Sequence, residues 1–123
     1  MLEQILYNEI PVRHIEKSAA WFQEVLGLKL AWHMPEEALA QLNLPSGQML
    51  FLVETADDTQ ANFTKNGETH NVIGFQTRDI EKLYTHLKEH NVTVESIVDD
   101  GVGNKFLNFF DPDGNKFNVQ CDA

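Results

Sequence analysis

The sequence predicts an α+β fold built from two tandem βαβββ modules, and two observations carry that prediction. The segment Arg13-His14-Ile15-Glu16-Lys17 returns 65 residues later as Arg78-Asp79-Ile80-Glu81-Lys82, with four of five positions identical. The surroundings repeat with it: at the same offset Phe22 matches Leu87 and Glu24 matches Glu89, and each copy has apolar β-like runs before and after it. A repeat that preserves flanking patterns as well as residues marks a duplicated supersecondary unit. The expected organisation is one domain over residues 1–123, with module one at 1–55, a linker at 56–69 and module two at 70–123.

In the first module, Ile5 to Val12 reads as a strand. Ile15, Ala19, Phe22 and Leu26 then recur at helical spacing, which predicts an amphipathic helix. Gly27 supplies the left-handed stop that a helix C-terminus favours. Three strands follow, Leu28 to His33, Ala38 to Leu44 and Met49 to Glu54, with Pro45-Ser46-Gly47 turning between the last two.

The second module opens with a strand from Asn71 to Thr77 and an N-cap at Asp79. Ile80, Leu83, Tyr84 and Leu87 form the apolar stripe of the second helix, and Asn91 can end it. Thr93 to Val98, Lys105 to Phe110 and Lys116 to Gln120 complete the module. Its last two strands are joined by Asp111-Pro112-Asp113-Gly114-Asn115, a turn sequence in which each residue has a mechanical reason to be present. Between the modules, Thr55 to Thr69 is polar, contains Asp57-Asp58 and Asn66-Gly67, and has Phe63 as its one large apolar side chain, so it reads as a linker.

Composition sets the class. Hydrophobic residues at 42% and charged residues at 23% fit an ordinary globular chain. Nineteen acidic against nine basic residues give a formal charge of -10, a field that repels phosphate backbones and anionic lipid surfaces and so speaks against nucleic-acid and membrane partners. The single cysteine, Cys121, has no partner for an internal disulfide, and the opening MLEQILYNEI lacks the basic start of a signal peptide; a cytoplasmic protein is expected.

The segments Ile10-Pro11-Val12-Arg13-His14-Ile15-Glu16-Lys17-Ser18, Trp21-Phe22-Gln23-Glu24-Val25-Leu26-Gly27-Leu28 and Phe110-Asp111-Pro112-Asp113-Gly114-Asn115, in paired βαβββ modules, resemble the vicinal oxygen chelate superfamily, the glyoxalase, bleomycin resistance protein and dioxygenase family. The resemblance covers nearly the whole chain and implies a cupped mixed sheet, the glyoxalase/bleomycin-resistance fold. Members include glyoxalase I, extradiol dioxygenases, methylmalonyl-CoA epimerase, fosfomycin-resistance enzymes and antibiotic-sequestering proteins, so fold leaves function open.

Enzymes of that family hold a divalent metal with side chains that point into the cup. By resemblance those positions fall on Tyr7, Phe51, Val72 and Asn118. Divalent metals need oxygen, nitrogen or sulfur donors converging at about 2.0–2.6 Å. This set offers at most two weak ones, so no metal and no cofactor are expected. A shifted register would bring in His70, two residues before Val72 on the same predicted strand face.

Among the remaining polar residues, Glu9 alternates with Tyr7 and is placed in the cup, where a carboxylate among aromatic neighbours can serve as a base. His70 with Glu9 or Tyr7 would make an acid-base pair. His86 and His90 stand four apart on the second helix without the glutamate of a zinc motif. Trp32, Phe51, Phe75, Phe106 and Phe109 give more aromatic surface than a minimal core needs, with Trp32 and Phe51 the expected pocket walls. Asn118 and Gln120 alternate on the last strand and can hydrogen-bond a ligand.

The expected function is metal-independent binding or sequestration of a small, partly apolar organic molecule through Tyr7, Glu9, Trp32, Phe51, His70, Val72, Asn118 and Gln120. The alternative is an enzyme of the same superfamily, a glyoxalase-type lyase, isomerase or dioxygenase, using a metal in a shifted register or Glu9/His70 chemistry. The resemblance also implies a homodimer.

Overall fold

A computed structural model describes every residue from Met1 to Ala123, in two units, Met1–Thr59 and Gln60–Ala123. In the first, β1 (Tyr7–Val12) lies parallel to β4 (Met49–Glu54), and β3 (Leu39–Asn43) and β2 (Lys29–Met34) continue the sheet antiparallel, in the order β1-β4-β3-β2. Helix α1 (Ile15–Glu24) covers one face of it. Period-two alternation sends Ile10, Val12, Ala40, Leu42, Leu50 and Leu52 toward that helix, where all are at most 2% exposed. Ile15, Ala19 and Phe22 meet them at helical spacing. Each fully buried Leu, Ile or Phe contributes about 1.5–3 kcal/mol of transfer free energy, so this layer holds the unit together. Gly27, at φ +71°, ends the helical turn as expected.

The second unit repeats the plan with β7 (Ile73–Gln76), α2 (Ile80–Glu89), β8 (Val98–Asp99), β9 (Lys105–Phe110) and β10 (Lys116–Cys121), in sheet order β7-β10-β9-β8. Phe109 and Phe117 are buried, their rings 5.3 Å apart, and Phe75 packs 5.3 Å from Phe117. Ile80 and Leu87 of α2 are fully buried. Asp79 caps α2 by accepting from the Lys82 amide at 3.0 Å.

Three differences from the sequence reading have physical causes. The first strand begins at Tyr7 rather than Ile5, because its partner β4 begins at Met49, opposite Tyr7; Ile5 and Leu6 have no ladder to join and are 80% and 57% exposed. The run from Thr93 to Val98 is mostly not a strand. It touches β9 through a single bridge, Val94 with Phe109, and pairs again only at Val98 with Phe106. Four residues there span three of β9, and the extra one breaks the ladder.

The third difference lies in the segment read as a linker. It folds into a hairpin of β5 (Asn62–Lys65) and β6 (Glu68–Asn71). Asn66 and Gly67, at φ +52° and +80°, supply the two left-handed residues that a tight hairpin turn requires. The turn after β9 pins this hairpin. The buried Asn115 accepts from the Ala61 amide at 2.7 Å, while Asn62 donates to the Gly114 carbonyl at 3.0 Å and accepts from the Lys116 amide at 2.8 Å. His70 therefore sits on β6 and Val72 lies beyond its end, before β7; they do not share one strand face.

Candidate functional site

Each sheet has one face against its helix and one open face. In the first unit the open face carries Tyr7, Glu9, Phe51 and Gln41, all out of register with the buried set. The Tyr7 and Phe51 rings stack, with centroids 4.5 Å apart and 10° between planes. Trp32 meets Phe51 edge-on at 5.7 Å and 65°. Strict alternation would have put Trp32 on the helix side with Leu30. A register shift between Leu30 and Trp32 pairs Trp32 with Gln41 instead, which moves the indole to the open face and turns His33 toward the helix side opposite Ala40. Glu9, the Cα partner of Phe51, is exposed and has no hydrogen-bond or ion-pair partner.

The open face of the second unit is polar at the matching register. Glu9 pairs with Phe51, and 65 residues on Gly74 pairs with Asn118. Asn118 Nδ2 donates to Asn108 Oδ1 at 3.0 Å, and Asn108 Nδ2 donates to Glu95 Oε1 at 2.9 Å. Lys116 Nζ donates to the Thr69 carbonyl at 2.8 Å, 4.0 Å from Glu95 and above the Phe110 ring. Gln120 and Gln76 both donate to the Asp122 carboxylate, at 2.5 and 3.1 Å. The sequence reading found Asn118 and Gln120 but missed Asn108, Glu95, Lys116 and Gln76. Alternation of Asn108 with the apolar Leu107 and Phe109 was the available signal.

Of the other expected site residues, His70 stacks on Phe63 across the hairpin with ring centroids 5.3 Å apart, and Val72 is 58% exposed. Glu9 and His70 belong to different units. The His86 and His90 rings lie 4.3 Å apart on an exposed helix face, with His90 Nδ1 bonded to the His86 carbonyl. On the helix side of the first sheet, an open groove of about 300 Å³ is lined by His14, Ile15, Glu16, Lys17, His33, Pro35 and Glu54. There Glu54 accepts from the Ile15 amide at 2.9 Å, so a strand residue caps α1, and the buried His33 Nε2 has no partner.

The positions that the family resemblance assigns to a metal do not fit one. Two of them present ring faces to each other, Val72 has no donor, and Asn118 turns its amide nitrogen to Asn108 and the Leu107 carbonyl. No group of three or more His, Cys, Asp or Glu side chains gathers where it could hold a metal ion. The carboxyl with a large shift is Asp111, away from both open faces. Burial pushes it up to about 6, against hydrogen bonds from Asn115 and Asp113 that favour its ionised form. No helix is long and apolar enough to cross a membrane.

Comparison with known proteins fits this architecture. The family model of the Glyoxalase/Bleomycin resistance protein/Dioxygenase superfamily matches residues 4–119. No curated protein matches the chain. Among solved structures, the genomically encoded fosfomycin resistance protein FosX of Listeria monocytogenes is similar with a TM-score of 0.80 at 17% identity, covering 100% of this chain and 96% of that one. The antibiotic binding protein TnmS3 of Streptomyces sp. CB03234 has a TM-score of 0.77 at 20% identity, covering 99% and 98%. Lactoylglutathione lyase of Agrobacterium tumefaciens has 0.72 at 19%, covering 97% and 93%. At these identities the likeness is one of fold.

Proposed function

We propose that this chain, which belongs to the Glyoxalase/Bleomycin resistance protein/Dioxygenase superfamily, binds a small, partly apolar organic molecule without a metal. The observation that carries the reading is the Tyr7, Phe51 and Trp32 cluster on the open face of the first unit. Where the resemblance expects metal ligands, Tyr7 and Phe51 form a stack with a third ring at its edge. Aromatic faces of this kind favour flat apolar groups, with each good ring contact contributing about 0.5–1.5 kcal/mol beyond area burial. An antibiotic-binding protein on the same fold gives the reading a precedent of architecture.

In this reading Trp32 and Phe51 are walls, Tyr7 stacks and Glu9 adds a polar rim contact on the first unit; on the second unit, taken by itself, His70, Val72, Asn118 and Gln120 are the ligand contacts. The protein works as a homodimer in a reducing cytoplasm, with Cys121 a free thiol. The test is a calorimetric titration with nickel, zinc, manganese and iron(II), followed by a fluorescence screen of flat aromatic compounds on the wild type and Trp32→Phe. Expected are no stoichiometric metal binding and quenching by some compounds that is reduced in the variant. Tight stoichiometric metal binding, or no compound bound, overturns the reading. Sedimentation velocity tests the dimer.

A further inference from the structure

Hydrogen-bond donors and acceptors on the open face of the second unit are unevenly committed, and that decides what chemistry the face can receive. An amide nitrogen has two hydrogens. Those of Asn118 are both used, toward Asn108 Oδ1 at 3.0 Å and the Leu107 carbonyl at 3.4 Å, so Asn118 has only its Oδ1 left to offer. The chain of bonds from Asn118 through Asn108 to the Glu95 carboxylate makes that oxygen a better acceptor, because an amide that donates gains electron density at its carbonyl.

The next positions on the same face lean the same way. Gln120 and Gln76 are Cα partners, and each gives a side-chain amide hydrogen to Asp122, leaving both side-chain Oε1 atoms without a protein partner. The second oxygen of Glu95 is unpaired too. An anion approaching the remaining glutamine hydrogens would meet the Asp122 charge. Lys116 is the one cation of the face; one of its three hydrogens goes to the Thr69 carbonyl, its ammonium lies 4.0 Å from Glu95, and its side chain is only 15% exposed. Against it stand Glu95 and Asp122, so the face has an excess of negative charge within a chain of formal charge -10.

There is room for a ligand group at Asn118. Its Cα partner Gly74 has no side chain, and a Cβ there would have nothing nearer than the Asn118 backbone oxygen at 3.9 Å. Gly74 is not among the positive-φ glycines, so its backbone does not demand glycine. Phe106, partner of Gln120, and Phe110, partner of Lys116, supply apolar surface beside the amides.

We propose that the open face of the second unit, centred on the Asn118 oxygen with Gln120, Gln76 and Glu95 around it, receives a protonated amine or amidine borne on an apolar body. This rests on the reading of the chain as a small-molecule binder and names the class of molecule.

Three probes with one ring system test it on the full chain: 2-naphthylmethylamine, 2-naphthalenemethanol and 2-naphthoate. Titrations are followed by calorimetry and by the NMR signals of the Asn and Gln side-chain amides. The amine is expected to bind about tenfold tighter than the alcohol, the ratio a hydrogen bond to a charged donor supports, with naphthoate weakest and the Asn118 amide signals moving. Asn118→Leu is expected to remove the amine's tenfold advantage over the alcohol. Gln120→Met, at a half-exposed position, lowers amine affinity less and keeps the test intact should Asn118→Leu fail to fold. Equal binding of all three probes, or tighter naphthoate, overturns the amine assignment and leaves the small-molecule reading standing. If none of the three binds, the assignment falls, and the reading falls with it only if the wider aromatic screen is also empty.

Discussion

Phe51 and Asn118 occupy the same place in their two units, the last strand's open face opposite the start of the first strand, yet one stacks on a tyrosine and the other heads a chain of amides ending in a carboxylate. On the helix side the units barely differ. Leu50 and Leu52 of β4 correspond to Phe117 and Val119 of β10, and all four are at most 2% exposed. Duplication preserved the face that must exclude water and let the other diverge, because burial constrains a side chain far more than exposure does. The helix caps show the same freedom. Asp79 caps α2 from its own N-terminus, whereas His14, its counterpart, makes no cap bond and α1 borrows Glu54 from the sheet.

The largest test of this symmetry is in the cores. Phe22→Ala and Phe117→Ala are each expected to cost about 3–5 kcal/mol in urea denaturation. A cost below about 1 kcal/mol for one of them would break the equivalence of the two helix-side layers.

The Asp111-Asn115 turn has no counterpart after β3, where Pro45-Ser46-Gly47 serves, and it should give the second unit a pH dependence of its own. The Asp111 carboxyl is raised by burial from an ordinary value near 3.8 to about 6. A raised folded-state value means that the folded protein holds this proton more tightly than the unfolded chain. Its stabilising contribution is therefore complete below about pH 3.8 and is lost as pH rises through 6. Relative to Asp111→Asn, wild type should lose on the order of 2–3 kcal/mol between pH 4 and pH 7. Parallel pH profiles would contradict the assignment.

A smaller effect is expected at the caps. Asp79→Ala and Glu54→Ala should each lower stability by about 0.5–2 kcal/mol, while His14→Ala leaves it within about 0.5 kcal/mol. Equal losses at His14 and Asp79 would restore the symmetry that the hydrogen bonds deny. The smallest effect concerns the loops before the third strand of each module. Ala38 holds φ +53° where the second unit uses Gly101 and Gly103 in left-handed conformations, so Ala38→Gly should raise the melting temperature, by about 0.5–1 kcal/mol of stability.

Much of the fold was legible because it rests on local periodicity. The stripe Ile15, Ala19, Phe22, the cap at Asp79, the stop at Gly27 and the turn from Asp111 to Asn115 each announce themselves within a few residues and take the expected form, whereas Leu26, expected on the same stripe, lies in the turn after the helix and is half-buried. Of the site, Tyr7, Phe51 and Asn118 were singled out through the family resemblance, and their alternation with buried strand neighbours is what sets them on the open faces. The hairpin from Asn62 to Asn71 escaped because its strands are polar and short, held by bonds from Asn115 and Asn62 to chain more than fifty residues away. The break after Val94 escaped for a related reason: the run is apolar enough for a strand, and only its length against β9 forbids the ladder.

By itself the sequence determined the two-module plan, the apolar stripes of the two helices and the chemical types available on the open faces, since repetition and period are properties of the chain. Tertiary structure decided which face Trp32 takes, that His70 belongs to a separate hairpin, and that Asn118 offers only its oxygen. Each depends on pairing with a distant strand, where a one-residue shift inverts a side chain and a neighbour's donor sets which atom of an amide is left free.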